Sequence, residues 1–229
     1  MFHRSKLVGS LTVLWVFLAF FFAARARAAE PVKTTATDSV AATVIVFIGD
    51  SLTQGYGVKA DEAYPALVER DLKERGHAVK VINGGISGSV TAEADQRIRW
   101  YLRAKPDIIV LALGANDGLK GTPPAVIEKN LKKAIEIGHA NGIKVVIAGL
   151  KMLSNLGPEY VSQFEAVFPR LAKGSAAHKV ELIPFLLEGV ALEKSLNLSD
   201  MRHPNAEGHK IMAKQVADRL EPLLVKKNR

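Results

Sequence analysis

The chain of 229 residues contains no cysteine. That excludes a disulfide framework, a cysteine-held iron-sulfur cluster and a thiolate zinc site, while an oxidising compartment stays permitted. Aromatic residues are scarce, at 7%, and no basic run is interleaved with them, so no nucleic-acid partner is expected. Internal repeats and low-complexity tracts are missing after the leader. Beyond residue 24 no stretch is apolar enough to cross a bilayer.

What the sequence does have begins with a leader. His3, Arg4 and Lys6 precede an apolar run from Leu7 to Ala24, and Ala26-Arg27-Ala28 supplies small residues around a cleavage point. Residues 1–28 are therefore read as a secretory signal peptide, which implies a periplasmic or secreted protein. The competing reading is an uncleaved anchor, because the run approaches the roughly 20 residues that span a bilayer. Residues 29–42 read as a disordered lead, 43–225 as one catalytic domain and 226–229 as a polar tail. The formal charge of +8 is partly the leader's, since Arg4, Lys6, Arg25 and Arg27 fall within it. The remaining basic surplus is spread along the chain, as on a solvated surface.

Within the domain, apolar runs alternate with amphipathic stretches. Thr43 to Ile48 is continuously apolar and β-branched, as a strand buried on both faces requires. Similar runs occur at Ala78 to Ile82, Asp107 to Leu113, Lys144 to Leu150 and Val180 to Phe185. Helical spacing occupies Tyr64 to Arg75, Thr91 to Ala104, Pro124 to Ala140, Glu159 to His178 and Asn205 to Val225. Alternation of this kind predicts an α/β domain: a five-stranded parallel sheet between two helical layers, with right-handed crossovers. In such sheets the site lies beyond the carboxyl ends of the strands.

Four segments at those ends carry chemistry. Ser51, in Gly49-Asp50-Ser51-Leu52-Thr53, sits just after the first strand, where its hydroxyl can face a ligand; equally, Ser51 or Asp50 can be a plain helix cap. Asn83-Gly84-Gly85-Ile86-Ser87-Gly88-Ser89 is either a glycine turn or a loop bringing the Gly88 amide to a developing oxyanion. In Gly114-Ala115-Asn116-Asp117-Gly118, the Asn116 side chain offers a further amide donor. Asp200 and His203, three apart before Pro204, can pair as orienter and base, although a lone loop histidine is more often simply exposed. Convergence of all four on one sheet edge favours a site over four unrelated turns.

Remaining groups have plainer readings. His77, His139 and His178 fall near helix ends, His209 is expected to be partly buried, Asp50 to shape its turn, and Phe164, Phe168 and Phe185 to be core. Asp200, His203 and His209 do not have the helical spacing of a metal pair, so no metal site is expected.

With those blocks in order, Ser51 in Gly-Asp-Ser-Leu, Gly88 in Ile-Ser-Gly, Asn116 in Gly-Ala-Asn-Asp and His203 in Asp-Met-Arg-His-Pro, the chain resembles the SGNH, or GDSL, hydrolases. Tyr64-Pro65-Ala66-Leu67 and Asn116 to Gly121 look like the bacterial periplasmic thioesterase, arylesterase and lysophospholipase branch. The resemblance covers roughly Val44 to Leu223. It implies a flavodoxin-like three-layer fold, a triad of Ser51, His203 and Asp200, and an oxyanion hole of Ser51, Gly88 and Asn116. It also implies a substrate loop containing Gly118, Leu119, Lys120 and Gly121, and no cofactor. Two departures are visible. Leu153-Ser154-Asn155-Leu156-Gly157 replaces a Pro-x-Asn-Tyr-Gly-like segment at the acyl-pocket wall, and Met201-Arg202 stands where Gly-Ile or Gly-Val is commoner.

The implied substrate is a small-molecule acyl ester or thioester, including a lysophospholipid. No stable membrane partner is expected unless the leader is retained, and the chain is read as a monomer or weak oligomer. Acyl or acetyl transfer to carbohydrate or lipid is a second reading, and a non-catalytic cell-envelope binding protein a third.

Overall fold

The computed structural model describes residues 42–152, 154–174 and 179–224. The expected leader, the lead as far as residue 41, the tail, Val225, Leu153 and His178 lie outside the described residues. Five segments extend as strands: β1 (Thr43–Gly49), β2 (Val79–Gly85), β3 (Ile108–Ala112), β4 (Lys144–Ala148) and β5 (Glu181–Ile183). They form one parallel sheet in the order β2-β1-β3-β4-β5. The centre of β1 and all of β3 are buried, which explains their unbroken apolar sequences.

Order reverses at β1, whose neighbours are β2 on one edge and β3 on the other. Register brings Gly49 opposite both Gly85 and Ala112, so three strands finish in one row at the carboxyl edge. The topological switch point of this sheet is therefore where Ser51, Gly88 and Asn116 leave it.

Seven α-helices are present among the described residues: α1 (Ser51–Gln54), α2 (Tyr64–Glu74), α3 (Ala94–Tyr101), α4 (Ala115–Leu119), α5 (Pro124–Ala140), α6 (Pro158–Lys173) and α7 (Ala206–Leu220). Helix α2 packs on α7, while α3 packs on α5 and α5 on α6. Right-handed crossovers put one group on each face of the sheet, giving the three layers. Proline in the first turn favours the starts of α2, α5 and α6. Helix α7 is capped by Asn205, whose side chain accepts from the amides of Glu207 and Gly208 at 3.0 and 3.1 Å.

Boundaries differ from the expected ones for local reasons. The stretch Thr91 to Ala104 is a short 3₁₀ turn, then α3, then a second 3₁₀ turn that stops at Lys105, which has φ 50°. Helix α6 stops at Lys173, where the Gly174 amide closes on the Arg170 carbonyl, rather than running to His178. Helices α1 and α4 lie outside the stretches read as helical from spacing, although Asp50-Ser51 reads as a possible helix start; one turn is too short for apolar periodicity to register. Phe164 and Phe168 are core, but Phe185 is only half-buried, with the Lys151 ammonium 4.6 Å from its ring centroid.

His209 is 1% exposed rather than partly buried. Its Nδ1 accepts the Tyr64 amide at 3.2 Å, and the two rings stack. Burial lowers its pKa from 6.5 to about 4. The unfolded chain thus binds a proton here that the folded chain refuses, so this group's contribution is present above about pH 6.5 and lost as pH falls through about 4. His209→Asn keeps an acceptor near Nδ1 but cannot titrate. We expect its melting temperature to fall less steeply than the parent's between pH 6.5 and 4; parallel slopes would remove His209 as the cause.

Candidate active site

The segment after β1 turns directly into α1. Asp50 caps that helix by accepting the Leu52 amide at 3.0 Å, which leaves Ser51 as the first helical residue. The alternative of Ser51 as the cap is thus settled in favour of Asp50. Ser51 Oγ lies 2.9 Å from His203 Nε2, and His203 Nδ1 lies 2.6 Å from Asp200 Oδ2. The other carboxylate oxygen of Asp200 accepts from the amides of Arg202 and His203 at 2.9 and 3.0 Å. With the His203 hydrogen bond foremost among these, the Asp200 carboxyl is held down at about 2. Asp200 is therefore a carboxylate near neutral pH and an acceptor for an N–H on His203 Nδ1, the tautomer in which Nε2 can accept from Ser51 Oγ.

The loop holding this pair is fixed at its base. Asn197 bridges antiparallel to Pro204, and Leu198 N donates to the His203 carbonyl at 2.8 Å. Met201 sits in this loop with φ 56°. Its left-handed backbone explains why glycine is commoner there in the resemblance: a side chain at this position costs on the order of 1 kcal/mol or more. The substitution strains the loop but leaves Asp200 and His203 paired. On the other side of the imidazole, the exposed Tyr56 ring lies 4.6 Å from it between centroids, tilted by 44°.

Gly88 has φ 81° and open space where a Cβ would stand, and its amide meets no acceptor among the described residues. The loop carrying it is tied to the end of β1 and to α1. Ile86 N donates to the Gly49 carbonyl at 3.1 Å, and Gln54 Oε1 accepts from Ser87 N and Oγ at 2.8 and 2.7 Å. A Cβ at Gly85 would overlap the backbone of Thr53 and Gln54. The glycines thus serve the close approach of β2 to α1 as well as the loop itself.

Asn116, in the first turn of α4, approaches from the other side. Its Nδ2 donates to the Ser89 carbonyl at 3.0 Å and reaches Asp50 Oδ2 at 3.5 Å. The longer contact is weak, so that N–H can turn to another acceptor at little cost. Asp50 itself is 1% exposed, and burial pushes its carboxyl up to about 6 against the pull of the Leu52 amide. Asp117, the residue after Asn116, is also buried and accepts from Thr91 N at 2.8 Å and Thr91 Oγ1 at 2.7 Å. That pair pins the start of α4 to the loop from β2.

Gly118 and Leu119 belong to α4, Lys120 caps it and Gly121 turns with φ 68°. Gly118 lies against Met152, whereas Leu119 is exposed. Tyr160 donates to the Thr122 carbonyl at 2.8 Å, anchoring the far end of this segment.

Sequence reading missed Tyr56, Gln54 and the carboxylate of Asp117. A weak signal was present for Gln54, which follows Ser51 by three positions and so neighbours it on one helical turn, whereas Tyr56 lies past the end of α1. Nothing local pointed to Thr91 as the partner of Asp117.

A model of the GDSL-like Lipase/Acylhydrolase family matches residues 47–211. An arylesterase of Vibrio mimicus is 37% identical over 183 residues, covering 80% of this chain and 90% of that protein. The thioesterase 1/protease 1/lysophospholipase L1 of Escherichia coli K12 is 30% identical over 187 residues, covering 81% and 87%. A crystal structure of TesA superposes with a TM-score of 0.75 at 31% identity, covering 80% of this chain and 100% of the other. Since the family match runs from the end of β1 through Ser51, Gly88, Asn116, Asp200 and His203 into α7, the chain belongs to the GDSL-like lipase and acylhydrolase family.

Proposed function

We propose that the protein is a serine acyl-ester hydrolase of the arylesterase, thioesterase and lysophospholipase type. The observation that carries this reading is the continuous hydrogen-bonded line from Ser51 Oγ through the His203 imidazole to Asp200, with both distances under 3 Å. Ser51 Oγ attacks the acyl carbonyl as its proton passes to His203 Nε2, while Asp200 stabilises the imidazolium. The carbonyl oxygen becomes an oxyanion that accepts from the Ser51 and Gly88 amides and Asn116 Nδ2. His203 then protonates the departing alcohol, phenol or thiol. Water attacks the acyl-Ser51 carbonyl with His203 as base, and the acid is released as Ser51 regains its proton.

Substrate class follows from the surroundings. Tyr56, Ile86 and Leu119 are exposed large apolar side chains on the three segments bearing Ser51, Gly88 and Asn116. Apolar side chains so placed suit an aryl or alkyl acyl compound, and Gly118 to Gly121 is the segment that meets it. Arylesterase and thioesterase/lysophospholipase relatives support the same range. The Asp200 side chain is 39% exposed, so water, the second substrate of hydrolysis, has access to this end of the site. Every step uses the chain's own groups. An exported location rests on the Met1 to Ala28 segment.

Two substitutions test the roles. Ser51→Ala should lower kcat on a short activated aryl ester by at least about 10⁴-fold; substantial turnover in the folded variant would sink the nucleophile. Asn116→Ala should cost about 100-fold to 1,000-fold in kcat with the fold retained, and an unchanged rate would remove it from the oxyanion hole.

A further inference from the structure

Helix α3 buries Ala94, Arg97 and Ile98 on one face, against the sheet. An arginine in that apolar stripe is costly, and here it is 8% exposed. Among the described residues no carboxylate lies within ion-pair distance of it. Its buried Nε meets no acceptor, and burial lowers the pKa of the guanidinium. What the side chain does have is a two-pronged grip on the sheet edge. Nη1 donates to the Gly49 carbonyl at 2.8 Å, and Nη2 donates to the Gly84 carbonyl.

Those two carbonyls belong to neighbouring strands. Gly49 ends β1, with Asp50 and Ser51 immediately after it; Gly84 lies near the end of β2, whose loop continues to Gly88. The Gly49 carbonyl also accepts Ile86 N, so one backbone oxygen joins α3, β1 and the Gly88 loop. We infer that Arg97 is a positioning residue that sets the Ser51 hydroxyl and the Gly88 amide relative to one another by clamping the Gly49 and Gly84 carbonyls with one rigid fork. It touches no reacting atom.

The chemistry of the fork supports this. A guanidinium holds its N–H groups in one plane at fixed spacing, so it can fix the separation of two acceptors; an ammonium on a flexible stem satisfies either acceptor but not their geometry. For stability alone, a leucine or methionine between Ala94 and Ile98 would avoid the buried charge. Attack at an acyl carbon needs nucleophile and oxyanion donors placed to a fraction of an ångström, where an error near 1 Å costs about 100-fold. The inference rests on the proposed roles of Ser51 and Gly88.

Steady-state kinetics on an aryl ester with the full chain, Arg97→Met, Arg97→Lys and Ser51→Ala tests it. Arg97→Met should keep or raise the melting temperature, lower kcat about 100-fold and change KM by less than about three-fold. Arg97→Lys should recover only part, remaining about ten-fold below the parent in kcat. Parent-like kcat in folded Arg97→Met overturns the inference while leaving the Ser51 reading intact, provided that Ser51→Ala is inactive. Should Arg97→Met not fold, parent-like kcat in Arg97→Lys overturns it equally, since charge rather than the fork would then suffice. Retained turnover in Ser51→Ala overturns both readings.

Discussion

Strand β1 is hydrogen-bonded on both edges by strands running in its own direction, and the placement of Ser51, Gly88 and Asn116 descends from that. Parallel pairing with β2 and β3 aligns Gly49 with Gly85 and Ala112. Because the crossovers leave the sheet on opposite faces, the chain parts at this row and opens a crevice. Ser51 enters it from the middle strand, Gly88 from one neighbour and Asn116 from the other. Only Asp200 and His203 come from elsewhere, on the loop that precedes α7, and the Ser51 to His203 hydrogen bond closes the crevice from that side.

The row is held together by polar groups that work against stability. Asp50 is a buried carboxylate whose ionised form is disfavoured by its surroundings, and Arg97 is a buried cation without an ion-pair partner among the described residues. Met201 holds a left-handed backbone without being glycine. Each would be cheaper as something else, and each lies at or beside the switch point or the His203 loop. Strain and buried charge concentrate where a fixed geometry is worth more than a better-packed core. The apolar interior of β1 and β3, with the faces of α2, α5, α6 and α7 packed over it, supplies the stability that these groups draw on.

Much of this was legible in the chain. Continuous β-branched runs announced buried parallel strands at Thr43, Asp107 and Lys144, and the polar blocks bearing Ser51, Gly88 and Asn116 follow three strands that end at one edge of the sheet, where the candidate site is placed. Exact ends were less legible: β5 shrinks to Glu181–Ile183, and α1 and α4 arise in segments too short to show a period. Contacts of long sequence separation were not legible at all. Thr91 with Asp117, Tyr64 with His209 and Arg97 with Gly49 are joined by the tertiary fold, and although Arg97 shares the stripe of Ala94 and Ile98, nothing local identifies the carbonyls that it meets. Phe185 was misread for the same reason, since an aromatic residue at a strand end is buried only if something packs over it.

The central claim is that Ser51 is the nucleophile, activated by His203. Covalent labelling with a fluorophosphonate, located by peptide mass spectrometry, addresses it without assuming any substrate. The account predicts stoichiometric modification at Ser51 and parallel loss of ester hydrolysis, with labelling slowed by at least about 100-fold in His203→Ala. Modification at another residue, or hydrolysis that continues with Ser51 fully labelled, would contradict it.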